Sequence, residues 1–296
     1  MKFQDNFMWG TASAAYQVEG AYLADGKGLN IWDAYCQEGN HIAHGENGNV
    51  ACDHYHHFKE DVKMMKEMGI RNYRFSISWS RVLPDGTGKV NEKGLQFYSD
   101  LVDELLANGI EPLVTLFHWD YPLALHQKGG WLNRESSDWF AEYAKVVVDA
   151  LSDRVKYWMT INEPQVFIGC GYAIGKFAPF EVHQAKDLTR MTHNVLLSAR
   201  QFKSFASMQS RNLPSVLPLR PLAAHRPTIH RRQLQRQSRK VSLLQRIVSR
   251  LNCPGGQTRS SSENTRRMPI RSSVTICRKS RKVTWKLSLN LLIFTV

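Results

Sequence analysis

Between Phe7 and Leu196, apolar residues recur alternately at strand spacing and at helix spacing. Phe7-Met8-Trp9-Gly10-Thr11-Ala12 is a short apolar run, followed by a long polar loop containing glycines. From Tyr55 to Met68, the residues Phe58, Val62, Met65 and Met68 share one helical face, and Gly69 is a natural stop. Asn72–Ser78 reads as a second strand. Asn91 is placed to cap a helix in which Leu95, Tyr98, Leu101, Val102 and Leu105 face one way, with Gly109 ending it. Pro112–His118 is apolar on both faces, as a parallel strand covered on each side must be. Ser137 or its neighbour can cap a further helix with Trp139, Tyr143, Val147 and Leu151 turned inward. Val155–Ile161 reads as a buried fourth strand, stopped by Pro164, which cannot donate to a ladder. A last helix starts near Asp187 and carries Leu188, Met191, Val195 and Leu196.

The order β-α-β-α-β-α-β-α with short connections predicts a parallel α/β fold. Polar residues follow each strand: Gln17, then Trp79-Ser80-Arg81, then His118-Trp119-Asp120, then Asn162-Glu163. In a parallel barrel these carboxyl ends converge on one mouth. A doubly wound sheet is the alternative, but Gly10-Thr11-Ala12-Ser13-Ala14 lacks the glycine pattern of a phosphate loop after strand one.

Charge divides the chain. Residues 1–200 carry 19 Lys+Arg against 25 Asp+Glu, whereas residues 201–296 carry 20 Lys+Arg and a single acid, Glu263. The second segment also holds 15 Arg and 14 Ser, shows helical periodicity only around Leu243, Leu244 and Ile247, and gives no parallel-strand signal. It is therefore expected to be irregular or disordered and not a domain, with the barrel pattern ending after about four βα units. Its arginine–serine bias and the sudden loss of acids are those of an out-of-frame translation. The competing reading is a basic appendage that binds nucleic acid by counterion release. Aromatic residues (Phe202, Phe205, Trp285, Phe294) lie away from the arginine cluster, so nucleic-acid binding is expected to be adventitious.

Cys36, Cys52, Cys170, Cys253 and Cys277 are widely spaced and form no CxxC pair, which argues against a disulfide framework or a zinc knuckle. The N-terminus lacks the apolar stretch of a signal peptide, and no run approaches a membrane span, so the chain is expected to be cytoplasmic. Neither cofactor nor metal is expected. His54, His56 and His57 could suggest metal ligands, but they lack a matching carboxylate set and read as structural or solvent-facing.

The chemistry concentrates at Asn162-Glu163-Pro164. A carboxyl at the open end of a strand can be partly desolvated and act as a proton donor near neutral pH. Around it, Phe7-Met8-Trp9-Gly10-Thr11-Ala12-Ser13-Ala14-Ala15-Tyr16-Gln17-Val18-Glu19-Gly20 resembles the N-terminal signature of glycoside hydrolase family 1. Tyr73–Arg81, Leu116–Asp120 and Thr160–Pro164 match further motifs of that family, in order. The resemblance covers residues 1–200 and implies a (β/α)8 TIM barrel that hydrolyses β-glycosides with retention, β-glucosidase-like. It further implies Glu163 as general acid/base, Asn162 as donor to the sugar 2-hydroxyl, and Gln17 and His118 as glycon ligands with Trp119 beside them. Arg74 corresponds to the guanidinium that holds the nucleophilic carboxylate ionised. His-Trp-Asp after strand three favours an unphosphorylated glucoside over a 6-phospho-β-glucoside.

A retaining glycosidase needs two carboxyls roughly 5 Å apart. The family's nucleophile lies in a Thr/Ile-Glu-Asn-Gly motif on strand seven, and no such motif follows Glu163 here. Glu46-Asn47-Gly48 has similar letters but no strand before it and reads as an Asn-Gly turn; Glu263-Asn264-Thr265 is a weaker match still. The nucleophile and strands five to eight are therefore expected to be absent, with no turnover by this chain. Arg74, lacking the family's partner, is expected to be either strained or solvated.

Overall fold

A computed structural model of the chain describes residues 7–38, 41–212 and 220–221, with side chains described as far as Phe202. All of these residues fall in one compact unit. Its framework is a parallel sheet in sequential order: β1 (Thr11–Ala12), β2 (Asn72–Ser76), β3 (Glu111–Phe117), β4 (Tyr157–Ile161) and β5 (Arg220–Pro221). The connecting helices are α1 (His54–Glu67), α2 (Glu92–Ala107), α3 (Ser136–Leu151) and α4 (Ala185–Asn212). Neighbouring strands pair in the order in which they occur, as a barrel's first half requires. Among the described residues, no helix is long and apolar enough to cross a membrane.

The four βα units are those the apolar pattern predicts, with local differences. Asn91 stands at the start of α2 but does not cap it; its side-chain amide donates instead to the Arg81 carbonyl at 2.9 Å. The first turn of α2 lies so close to that carbonyl that a Cβ on Gly94 would stand 2.1 Å from the Arg81 oxygen. Ser136 and Ser137 are buried in the first turn of α3, while Trp139 is only half-buried; Tyr143, Val147 and Leu151 are fully inside. Of β4, only Trp158 is buried, so the strand is less enclosed than its composition suggests.

Two findings bear on the expected break at residue 200. Helix α4 runs through it to Asn212, and Phe202 is 2% exposed. Met191, Val195, Ser198 and Phe202 recur at i, i+4, i+7 and i+11 and are all buried, whereas Leu196, expected inward, is 57% exposed. A fifth parallel strand also follows, pairing Arg220 with Tyr157 and Pro221 with Trp158. Two residues, one of them proline, give no period-2 signal. The rest of the 201–296 segment lies outside the described residues.

The core between sheet and helices is aromatic. Trp79 stacks on Tyr143 at 4.9 Å and meets Tyr121 and Phe140 edge-on; Phe117 packs against Tyr121, Trp131 and Phe167. The Tyr143 hydroxyl donates to the Leu116 carbonyl at 2.8 Å, tying α3 to the C-terminal end of β3. The polar loop after β1 is held by a buried pair, Lys27 Nζ to Asp33 Oδ2 at 2.5 Å, and by Asn30, whose Oδ1 accepts from the Trp32 and Asp33 amides. That capping box fixes the Ile31–Tyr35 turn and so the position of Trp32.

Candidate active site

The ends of β2, β3 and β4 are locked together by side chains. Of the two states the sequence led one to expect for Arg74, strained or solvated, solvation is excluded: on β2 it is 7% exposed. Its Nε donates to Thr115 Oγ1 on β3 at 2.9 Å, and its Nη2 donates to Asn162 Oδ1 at 2.6 Å. The Asn162 backbone N–H donates to the Phe117 carbonyl at 2.9 Å, adding a rung to the β3–β4 ladder. His118 and Asn162 are thereby set side by side, with Asn162 Nδ2 3.1 Å from His118 Nε2. Trp119 Nε1 donates to the Asn162 carbonyl at 2.9 Å, and the indole stacks on Phe177 at 5.7 Å. Phe177 in turn meets Trp32 at 5.8 Å. Arg74, His118, Trp119 and Asn162 thus form one hydrogen-bonded group.

Glu163 follows directly, in the left-handed region at φ 41°, and Pro164 begins the short Pro164–Phe167 helix. Trp119 is left-handed as well, at φ 81°. Such conformations cost a non-glycine residue on the order of 1–3 kcal/mol and concentrate at functional sites. The Glu163 side chain is exposed, not partly desolvated as its strand-end position suggests. β4 itself is only partly covered, so its last residues open to solvent. Gln17 is also exposed, on the Ala15–Val18 turn, which is anchored where the Ala15 amide donates to Ser76 Oγ on β2. Gln17 is not part of the hydrogen-bonded group.

Electrostatics set the protonation states. Burial, and then the charge of Arg74, push the His118 imidazole down to about 3, so it is neutral across the working range. Burial lowers the affinity of Arg74 for its proton, and the Glu163 carboxylate partly restores it. Asp120, next to Trp119, is fully buried and pushed up to about 7, chiefly by burial. The Ser78 hydroxyl beside the carboxyl acts in the opposite direction, though it makes no hydrogen bond to either oxygen.

A second, buried polar group was assigned no role by sequence reasoning. Glu19 accepts from Arg81 Nε at 2.9 Å and from the Tyr98 hydroxyl at 2.6 Å, and the Ser78 amide donates to that hydroxyl at 2.8 Å. The Arg81 guanidinium lies 4.2 Å from the Tyr55 ring centre. The available signal was a pair of opposite charges inside apolar strings, affordable only if they meet.

Elsewhere, each candidate histidine pairs with a carboxylate: His54 with Asp61 at 2.7 Å, His56 with Asp53 at 2.6 Å and His57 with Glu60 at 2.6 Å. Among the described residues, no cluster of three or more His, Cys, Asp or Glu could hold a metal. Glu46 is exposed on a turn in which Asn47 Oδ1 accepts from the Asn49 amide, consistent with the Asn-Gly turn reading. Glu263 lies outside the described residues.

Comparison with known proteins agrees with this geometry. Beta-glucosidase A of Thermotoga maritima is 49% identical over 205 residues, covering 69% of this chain and 46% of that protein. Beta-glucosidase A of Acetivibrio thermocellus is 50% identical over 207 residues, covering 70% and 46% respectively. The structure superposes on that of the beta-glucosidase from Thermotoga maritima in complex with noeuromycin with a TM-score of 0.68 at 46% identity, over 70% of this chain and 47% of the other. The chain therefore spans about half the length of the relatives it matches. The profile of Glycosyl hydrolase family 1 matches residues 1–275. With its strand order, its locked strand ends and these matches in agreement, the chain belongs to Glycosyl hydrolase family 1.

Proposed function

We propose that this chain carries the glycon-reading and acid/base part of a retaining β-glucosidase centre, for unphosphorylated β-glucosides. The observation that carries this reading is the Thr115–Arg74–Asn162–His118 hydrogen-bonded group at the joined ends of β2, β3 and β4, with Glu163 next in the chain. In this reading Glu163 protonates the leaving glycosidic oxygen and later deprotonates the attacking water. Asn162 faces the 2-hydroxyl, Gln17 and His118 take other glycon hydroxyls, and Trp119 offers a flat apolar wall to a sugar face. Arg74 supplies positive charge beside the position of a nucleophilic carboxylate.

The 296-residue chain by itself is expected to show no turnover. Retention requires a second carboxyl roughly 5 Å from the acid/base. The two Glu-Asn pairs available by sequence, Glu46-Asn47 and Glu263-Asn264, lack the strand context of that nucleophile. The test is hydrolysis of an aryl β-glucoside by the purified chain beside its Glu163→Gln variant. Equal background rates are expected; a rate clearly above the variant's would overturn the inactivity reading and support Glu163 as the working acid.

A further inference from the structure

Arginine only donates hydrogen bonds, so the Asn162 oxygen must be the atom that faces Nη2 of Arg74, 2.6 Å away. This leaves one Asn162 Nδ2 hydrogen directed at His118 Nε2, which must then accept. A neutral imidazole has one N–H, so the proton sits on Nδ1. His118 Nδ1 is buried and has no hydrogen-bond partner among the described residues, so nothing on that edge of the ring selects the tautomer. Selection comes from the Nε2 edge, and its origin can be traced back. Arg74 is itself aimed by Thr115, a fully buried residue in the middle of β3 whose Oγ1 accepts from Nε at 2.9 Å. The Thr115 hydroxyl hydrogen is directed at Met159 Sδ, 4.0 Å away, leaving its lone pairs to the guanidinium.

We propose that Thr115 is a positioning residue which, through Arg74 and the Asn162 amide, holds His118 as the Nδ1–H tautomer. In that tautomer the single lone pair of Nε2 is taken by the Asn162 amide, so a ligand hydroxyl can bind Nε2 only by donating its own proton in place of the Asn162 N–H. This consequence for a sugar rests on the β-glucoside reading; the tautomer assignment does not.

The test is long-range 1H–15N correlation on the full chain with 15N-labelled histidine, with His118 assigned by a His118→Gln variant. The expected wild-type pattern is protonated Nδ1 and bare Nε2. Thr115→Val, nearly isosteric but without the oxygen, should shift His118 alone toward a mixture of tautomers, while the other ten histidines stay unchanged. Thr115→Ser should restore the wild-type pattern. Asn162→Asp, which replaces the donor by an acceptor, should invert it to Nε2–H. A wild-type Nε2–H pattern, an Asn162→Asp spectrum without inversion, or a folded Thr115→Val with an unchanged His118 would each overturn the proposal. If Thr115→Val does not fold, Thr115→Ala and Thr115→Ser are compared: matching His118 spectra overturn it, and a shift in the alanine variant alone supports it. Adding a glucose-shaped imidazole tests the sugar reading separately. Absence of any response at His118 with the tautomer results intact would count against that reading and not against the relay.

Discussion

Replacing Asp120 by asparagine should stabilise this chain at pH 8 and do much less at pH 5. The carboxyl is completely buried beside Trp119, with no hydrogen-bond partner on either oxygen among the described residues. Burial moves it from the ordinary 3.8 to about 7 in the folded chain. The sign follows from proton binding. Between these two values the folded state holds a proton that the unfolded state has lost, so stability falls as pH rises through the window. The full difference corresponds to about 4 kcal/mol, of which about 3 kcal/mol falls between pH 5 and pH 8. Asparagine has nearly the same shape as the protonated acid and never ionises, so it removes only the pH-dependent part. Urea unfolding of both proteins at pH 5, 6, 7 and 8, read by far-UV circular dichroism, isolates the residue, because every other titrating group is common to the pair. The expected result is a gap that widens with pH in favour of Asp120→Asn by 1 to about 3 kcal/mol. A pH-independent gap, or a variant less stable at pH 8 than at pH 5 relative to wild type, would refute the account of Asp120 as a buried, unpaired acid.

Glu19→Gln leaves the fully buried Arg81 without its counter-charge and should cost about 3–5 kcal/mol, seen as a lower urea midpoint at unchanged m-value. Gly94→Ala should destabilise despite alanine's better helix propensity, because the new Cβ would press on the Arg81 carbonyl at 2.1 Å; a gain in Tm would contradict that packing. Phe202→Ala should cost about 3–5 kcal/mol, as a core residue does; a loss within about 0.5 kcal/mol would place Phe202 with the surface.

The sequence pattern located the strands and helices where apolar periodicity was long, as at Asn72–Ser76, Glu111–Phe117 and Ser136–Leu151. It failed where a structural decision rests on something other than side-chain period. Arg220–Pro221 is too short to alternate, and Leu196 shares helix α4 with Val195 but lies about 100° around it. Asn91 looked like a cap because Asn favours that role, yet its side chain is turned to donate from Nδ2 to the Arg81 carbonyl, and its oxygen accepts no helix N–H. At the site, family motifs supplied Arg74, His118, Trp119, Asn162, Glu163 and Gln17 but said nothing of how they are held. Thr115 stood unremarked inside the apolar Pro112–His118 run. Its role as the acceptor that aims Arg74 follows from the β2–β3 register, which pairs Ser76 with Thr115 and Arg74 with Leu113. Register between strands separated by a helix is not written in either strand alone.

The two kinds of site residue are held by different means. Asn162 and His118 are fixed by hydrogen bonds among themselves and to Arg74, so their geometry depends on polar contacts made within the site. Glu163 is exposed and is positioned by its backbone instead. That backbone is left-handed, as is that of Trp119, and each conformation persists only if its flanks are firmly anchored. The flanks are anchored in the aromatic core. After Trp119 comes Tyr121, fully buried at 5.3 Å from Trp79 and 4.9 Å from Trp131. After Glu163 comes Phe167, buried at 5.4 Å from Phe117 and 6.0 Å from Trp131. Trp131 touches both anchors, so the residue offered as sugar wall and the residue offered as proton donor are referenced to one indole. The backbone position of Glu163, the residue proposed as acid/base, is therefore a property of the aromatic core that anchors its flanks.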